Sequence, residues 1–422
     1  MTEVGGDPAI GAFAGPIARS SVARVATATV LSALCGYAVV YLAARDLAPA
    51  GFSLFAVFWG AFGLVTGAAN GLLQETTREI RAAGYTEVLP GRPTHPLPVA
   101  GLVGIGAGVM IAGSAPLWSG RVFAQAHWLS VGLLSVGLAG FCLHATLLGM
   151  LAGTNRWTQY GALMVTDAGI RVAVAAATVV VGWGLVGFLW ATVAGAVAWL
   201  IMIVASPTTR AAARLLTPGN TATFLRGAAH SITAAGASAI LVMGFPVLLK
   251  VTSSQLGADG GVVILAVTLT RAPLLVPLTA MQGNLIAHFV DERAARLRAL
   301  IAPAALVAGI GAVGVLGAGL VGPWLIREAF GPDYHAAGAL LAWLTAAAVA
   351  IAMLTLTGAA AVAAALHRAY ALGWVSATVA AALLLLLPLP LETRTVVALL
   401  CGPLVGIGVH LAALARSGGR QA

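Results

Sequence analysis

Hydrophobic residues run along this chain in long blocks rather than in stripes. Twelve blocks of about 20 mostly apolar residues fall near 22–43, 52–73, 98–117, 128–151, 160–182, 185–204, 227–250, 260–283, 299–320, 338–360, 370–388 and 396–414. That is the length a helix needs to cross the ~30 Å hydrocarbon core of a bilayer. Blocks this long and apolar on every side predict helices, because a helix satisfies its own backbone where no water is present. The narrowest separation, Gly182-Trp183-Gly184, divides the fifth block from the sixth.

Two polar connections are more than turns. "ETTREIRAAGYTEVLPGRPTHPLP" (75–98) starts as a helix, with Glu75 and Arg78 spaced for an i,i+3 ion pair, and ends rich in proline. "SPTTRAAARLLTPGN" (206–220) carries Arg210 and Arg214 beside Leu215 and Leu216, the pattern of an amphipathic segment on a membrane interface. It lies at the midpoint of the chain and divides it into a first lobe, 1–205, an interfacial linker, 206–226, and a second lobe, 227–422. An internal repeat agrees. "LAPAGFSLF" (47–55) and "LGADGGVVI" (256–264) share a leucine, a small residue, a turn, a glycine and an apolar re-entry at an offset of 209. Each copy joins the first two blocks of its half, and six blocks per half make the repeats parallel, about an axis along the membrane normal. The expected fold is an all-α polytopic membrane protein of about twelve transmembrane helices in two six-helix lobes.

Composition fixes the solvent. Of 422 residues 60% are hydrophobic and 8% charged, and the mean hydropathy is +0.98; a soluble domain carries about 25% charged residues. With the N-terminus on the cytoplasmic side, fifteen of the 22 basic residues fall inside and five outside, a three-to-one bias in the sense of the positive-inside rule. Both termini are therefore expected in the cytoplasm. Glu3 and Asp7 give the N-terminus an acidic start, and the first block is longer than a signal peptide's, so it reads as a retained span. The net charge of +9 is spread over inner loops, where it meets anionic lipid rather than nucleic acid. Cys35, Cys142 and Cys401 lie inside apolar blocks without metal-ligand spacing, and no metal or cofactor is expected. Glycine-rich runs such as "GLVGIGAG" (101–108) lack the strand-turn-helix context of nucleotide binding.

Three stretches carry a resemblance to the polysaccharide (O-antigen type) flippases of the multidrug, oligosaccharidyl-lipid and polysaccharide exporter superfamily. "ARDLAPAGFSLFAVFWGAFGLVTGAANGLLQETTREI" (44–80) resembles the family's first outer loop and second helix, where a "lGpeeyGlya" pattern leads to an inner "ttR" exit, here Thr76, Thr77 and Arg78. "LGADGGVVILAVTLTRAPLLVPLTAM" (256–281) resembles the same unit in the second half, and "IREAFGPDYHAAGALLAWLTAAAVAIAMLTLTGAAAVAAALHRAY" (326–370) the family's ninth-to-tenth connection and tenth helix. The chain departs from the pattern at Asn70, where an acidic residue often precedes the glycine, and at Ala48, where the first-half loop has lost its Leu-Gly pair. The resemblance implies an inner-membrane flippase of polyprenyl-pyrophosphate-linked oligosaccharide working by alternating access, in contact with membrane lipid and with polysaccharide-assembly enzymes. Two alternatives stand beside it, a cation-coupled multidrug exporter of the same superfamily and a membrane subunit of a polysaccharide-assembly glycosyltransferase complex.

Three formal charges fall near the bilayer centre: Asp167, Arg171 and Arg271. Each costs about 2.5–3.5 kcal/mol to insert and needs a reason to be there. Asp167 and Arg171, at i,i+4, read either as a self-neutralising pair or as the lining of a polar cavity. Arg271, in "VTLTRAPLLVPL", stands roughly 16 Å into its helix with no local carboxylate. Pro273 and Pro277 remove backbone donors beside it and free the carbonyls of Leu269 and Pro273, which reads either as a cavity device or as a plain kink. A cavity holding Arg271, Arg171 and Arg24 would suit a pyrophosphate, since the guanidinium fork pairs with two phosphate oxygens. Arg24 alternatively anchors the first helix, and Lys250, the sole lysine, alternatively snorkels at the outer boundary. Gly63, Gly67 and Gly71 form a stripe for close helix approach, and Pro246 in "MGFPVLL" (243–249) marks a hinge in the seventh span. His144 and His230 are the titratable groups noted inside spans.

Overall fold

The computed structural model describes residues 19–83, 93–217, 220–291 and 296–418. Glu3, Asp7 and most of the proline-rich stretch after Tyr85 lie outside the described residues. Fifteen α-helices follow in order: α1 (Arg19–Ala83), α2 (Pro96–Val122), α3 (His127–Gly153), α4 (Trp157–Val181), α5 (Gly184–Ala194), α6 (Ala198–Ala205), α7 (Pro207–Ala212), α8 (Thr221–Val242), α9 (Phe245–Val251), α10 (Gly257–Asp291), α11 (Arg296–Ala299), α12 (Ile301–Phe330), α13 (Gly338–Ala363), α14 (His367–Leu384) and α15 (Leu391–Gly418). A helix of 65 residues would be about 98 Å long, three bilayers deep. α1 instead breaks at Ala48 into two arms, 19–47 and 49–83. α5 and α6 form one span joined by a 3₁₀ turn at Gly195–Val197, and α8 and α9 form another, bent by 67°. The result is twelve crossings in two six-helix lobes, block for block as the hydrophobic pattern places them.

The repeat is visible in backbone detail. Ala48 has φ 53° and Gly257, 209 residues later, has φ 55°. Gly51 packs on Leu47 as Gly260 packs on Leu256, again at the same offset. A second pair was not evident in the sequence. Asn155 and Ala365, at an offset of 210, both have positive φ and close α3 and α13 with matching hydrogen bonds: Asn155 N–H to Ala152 and Arg156 N–H to Leu151, Ala365 N–H to Val362 and Leu366 N–H to Ala361. Gly182 and Gly184, both at positive φ, turn the chain between the fifth and sixth crossings.

Ala48 occupies φ 53°, ψ 173°, a region that is nearly glycine-only and costs a side chain about 1–3 kcal/mol. Ala48→Gly restores the residue its repeat partner keeps. It should raise stability by about 1 kcal/mol, read as a higher unfolding temperature in detergent.

The midpoint segment is docked rather than laid flat. Only Pro207–Ala212 is helical, with the Ser206 hydroxyl accepting from Thr209 N–H at 3.2 Å. Thr217 pairs with Thr94 in an isolated antiparallel bridge, with N–H···O distances of 3.1 and 2.9 Å, and Leu215 packs on a small core around Leu147 and Met202. α8 already begins at Thr221, capped by the Asn220 side chain, so the seventh crossing starts earlier than the apolar pattern indicates.

Two contacts join the halves. The second arm of α1 lies along α8 on the glycine stripe. A Cβ at Gly63 would stand 3.2 Å from Met243, at Gly67 2.7 Å from the Cβ of Ala239, and at Gly71 within the backbone of Ser231 and Ile232. Near Ala48 and Gly257, Val39, Val40, Ala43 and Ala44 of the first arm share one core with Val263–Val267 of α10. The Tyr334 hydroxyl donates to Ala44 O at 2.8 Å there, and Phe52, Phe330 and Tyr334 stack around it. Towards the opposite end Leu31, Leu34 and Met281 are exposed. Among the described residues, the shared core of the first arm of α1 and α10 lies at the end near Ala48 and Gly257.

Candidate functional site

The break between α8 and α9 follows from its sequence. Gly244 tolerates the bend and Pro246 has no N–H to donate, so the carbonyl four residues earlier, that of Val242, has no helical partner. A carbonyl orphaned at membrane depth needs a donor from elsewhere. Arg271 of α10 supplies it: Nη1 donates to Val242 O at 3.1 Å, and the guanidinium carbon lies 5.3 Å from the centre of the Phe245 ring. Gly60 braces the bend from the second arm of α1, where a Cβ would stand 3.0 Å from Pro246. Tyr37 of the first arm lies within electrostatic reach.

Arg271 is therefore held by a helix end and an aromatic face rather than by a carboxylate. It is 8% exposed, and its Nη2 is buried with no hydrogen-bond partner among the described residues. A buried donor left unmade costs about 1–3 kcal/mol, more when charged. One edge of the fork is anchored and the other is open.

Pro273 and Pro277 sit elsewhere. At 100° per residue they stand 200° and 240° round the helix from Arg271. Both are exposed while Arg271 is buried, and α10 runs through them without a break. Pro273 instead lines an apolar crevice of about 430 Å³ between α10, α12 and α13, with Thr270, Gly314 and Leu325. The freed backbone beside Arg271 comes from Pro246 on the neighbouring span. An internal proline orphans the carbonyl four residues before it, but which orphan meets Arg271 is decided only by the packing of α8 and α9 against α10.

Asp167 and Arg171 on α4 form the self-contained pair. Arg171 Nε and Nη2 donate to the two carboxylate oxygens at 3.1 and 3.0 Å, and the guanidinium lies 5.2 Å from the centre of Phe62. Gly195, in the 3₁₀ turn of the sixth crossing, packs directly on the Asp167 carboxylate. The turn exists where the helix must pass the ion pair, a detail that the sequence signalled only by an unremarked glycine. Arg171 and Arg271 have different partners, and no contact links them. Arg24 Nη1 donates to Thr158 of α4 at 2.7 Å, tying the start of the first crossing to the fifth. Lys250 reaches Ser254 O at 3.5 Å, one turn beyond its own helix. Of the five proposed ligand residues, only Arg271 has an open buried donor.

His144 is buried against Phe141, and His230 bonds back to Arg226 O on an exposed face. Arg394, one of the five basic residues assigned to the outer boundary, has a structural role that its position alone does not signal. Arg394 ties three carbonyl and hydroxyl groups together, bonding Thr252 O at 3.0 Å, Leu385 O at 3.3 Å and Ser253 Oγ at 2.6 Å.

Solved structures share this fold. An inward-facing multidrug resistance MATE family transporter of the MOP superfamily superposes with a TM-score of 0.68 at 18% identity, over 98% of either chain. Its outward-facing counterpart gives 0.66 at 16%, again over 98% of either chain. A MOP superfamily transporter from Pyrococcus furiosus, described as having a binding pocket of reverse polarity, gives 0.63 at 13%, over 97% of this chain and 98% of that one. The fold is that of MOP superfamily transporters. Curated relatives are mycobacterial: the chain is 79% identical over 408 residues to the uncharacterized protein Mb3654 of Mycobacterium bovis, covering 96% of this chain and 95% of that protein. It is 75% identical over 416 residues to the uncharacterized protein Rv1510 of Mycobacterium tuberculosis, covering 99% and 96%. The chain belongs to this mycobacterial family. No family model matches it.

Proposed function

We propose that the chain is an alternating-access transporter that moves a polyprenyl-pyrophosphate-linked oligosaccharide across the cell membrane, from the cytoplasmic to the outer face. The observation that carries this reading is Arg271, a buried cation of the second half within electrostatic reach of Tyr37 of the first, with one anchored and one open edge. A pyrophosphate presents paired anionic oxygens that such an edge can accept, with the low dielectric around it strengthening each bond. A fold shared with transporters in inward- and outward-facing states supports a mechanism in which the halves rock. In this scheme 1–205 and 227–422 are the moving lobes, 206–226 is the linker, and both termini lie in the cytoplasm. The exposed inner parts of α1 and α10 then form a wedge open to the cytoplasm, closed outside by Tyr334 and its aromatic neighbours.

The multidrug reading has support from the same fold, because two of the similar structures are multidrug resistance transporters. A cationic drug needs a carboxylate, however, and Asp167 is already neutralised by both arms of Arg171. The experiment separates the two. Purified protein is placed in liposomes carrying a fluorescent polyprenyl-pyrophosphate oligosaccharide, and an impermeant quencher reports the exposed fraction. Protein-dependent loss of the protected fraction is expected. Protection equal to that of empty liposomes, with pumping of a cationic dye instead, would establish the drug exporter.

A further inference from the structure

We propose that His410 is a proton-binding site in the second six-helix lobe, built so that the proton can come and go without leaving a buried group unsatisfied. His410 lies on α15 and is fully buried. Its Nε2 is 3.2 Å from the Tyr370 carbonyl, and a carbonyl can only accept, so Nε2 carries a hydrogen. Its Nδ1 is 3.0 Å from the Thr357 hydroxyl of α13. That hydroxyl has one hydrogen and three acceptors within reach, because it also lies 3.0 Å from Met353 O and 3.1 Å from Leu354 O. In the neutral state the hydroxyl donates to Nδ1. When Nδ1 takes up a proton, it donates to Thr357 Oγ1 and the hydroxyl turns to Met353 O. One rotor switches between the ring nitrogen and the helix carbonyls behind it, and the ring keeps both of its hydrogen bonds in either state.

The surroundings fit a site rather than a filler. Gly373 of α14 and Gly358 of α13 leave the space the imidazole occupies, with a Cβ on Gly373 falling on the ring itself. Tyr370 stacks parallel to it, with centroids 6.2 Å apart and an interplanar angle of 1°. The phenol of Tyr370, from α14, is the titratable group facing His410; α13 presents Thr357, and among the described residues no charged side chain acts on the ring. Farther along the same face of α14, Thr378 Oγ1 is a buried polar atom without a partner among the described residues, a place for relay water on a route to the ring.

The site is also wired to the contact between halves. The Tyr370 phenol lies within electrostatic reach of Ser238 of α8, whose neighbour Ala239 is the residue that Gly67 meets. Protonation that shifts α14 against α8 acts on the packing of one half against the other. This inference rests on the transport reading for its purpose but not for its existence.

The test uses full-length protein with ¹⁵N-labelled histidine in nanodiscs, the His410 resonances assigned by their loss in His410→Gln. Nδ1 of His410 should take up a proton as the pH is lowered through the range open to an imidazole. Thr357→Val should weaken proton uptake about tenfold, a shift of one pH unit, and Thr357→Ser should leave it unchanged. A ring that keeps one neutral tautomer down to pH 4.5, or a midpoint indifferent to Thr357→Val, overturns the proposal. In liposomes, a pH profile of flipping that flattens in Thr357→Val and survives in Thr357→Ser supports coupling, and an unchanged profile refutes it. Failure of every variant and the wild type to flip would sink the transport reading while the titration still decides the proton site.

Discussion

Arg271→Ala should reduce flipping of the pyrophosphate-linked sugar by about a hundredfold. The estimate takes two charge-assisted hydrogen bonds of about 1.5–3 kcal/mol at the lower end, against 1.4 kcal/mol per tenfold. The same substitution also strips the donor from Val242 O, so it should lower stability by roughly 1–3 kcal/mol for the orphaned carbonyl. The two losses can be separated through the neighbouring span. Pro246→Ala restores a backbone N–H four residues after Val242, which lets the helix supply the bond that Arg271 made. The double variant Arg271→Ala/Pro246→Ala should recover the unfolding temperature and remain inactive. Recovery of flipping along with stability would mean that Arg271 is a helix cap and nothing more. Arg271→Lys keeps the charge but has no second arm, and should fold with weakened transport.

The largest structural effect is expected along the glycine stripe. Adding a side chain in a packed interior costs about 1–3 kcal/mol where neighbours can yield. At Gly71 the obstacle is the backbone of Ser231 and Ile232, which cannot turn aside, whereas at Gly67 it is a methyl group and at Gly63 a flexible methionine. Alanine substitutions should therefore lower the unfolding temperature in the order Gly63→Ala, Gly67→Ala, Gly71→Ala, with Gly71→Leu separating the halves. Cysteines placed on the facing surfaces of the second arm of α1 and α8 would report it, losing their crosslink in Gly71→Leu. A stripe that tolerates leucine at Gly71 would contradict this contact.

Much of the fold is legible because lipid imposes a single length and a single backbone solution. Each apolar block became a crossing, and the Glu75–Arg78 pair formed as spaced, with Nη2 2.6 Å from Oε1. The 209-residue repeat reappears as a shared φ at Ala48 and Gly257. The site was legible by halves. Arg271 stands out as a lone cation in hydrocarbon, and Asp167 with Arg171 as a local pair, since both readings need only a helix. What answers Arg271 could not be seen, because its partner is a carbonyl whose vacancy arises 25 residues away at Pro246 and whose nearness is tertiary. The prolines next to it in sequence stand on another face of α10, where Pro273 lines the apolar crevice against α12 and α13. His410 was overlooked for a related reason: one histidine among small apolar residues carries no pattern until Thr357 and Tyr370 are brought to it from two other helices.

Binding to the purified protein tests the central claim most directly. Affinity is measured for a polyprenyl pyrophosphate and for the polyprenol of the same length, in the wild type and in Arg271→Gln/Pro246→Ala. An open guanidinium edge predicts that the wild type prefers the pyrophosphate by about ten- to a hundredfold, worth roughly 1.4–2.8 kcal/mol, and that the variant loses the preference while still binding the chain. Equal affinity of the wild type for both lipids would show that Arg271 does not receive the phosphate.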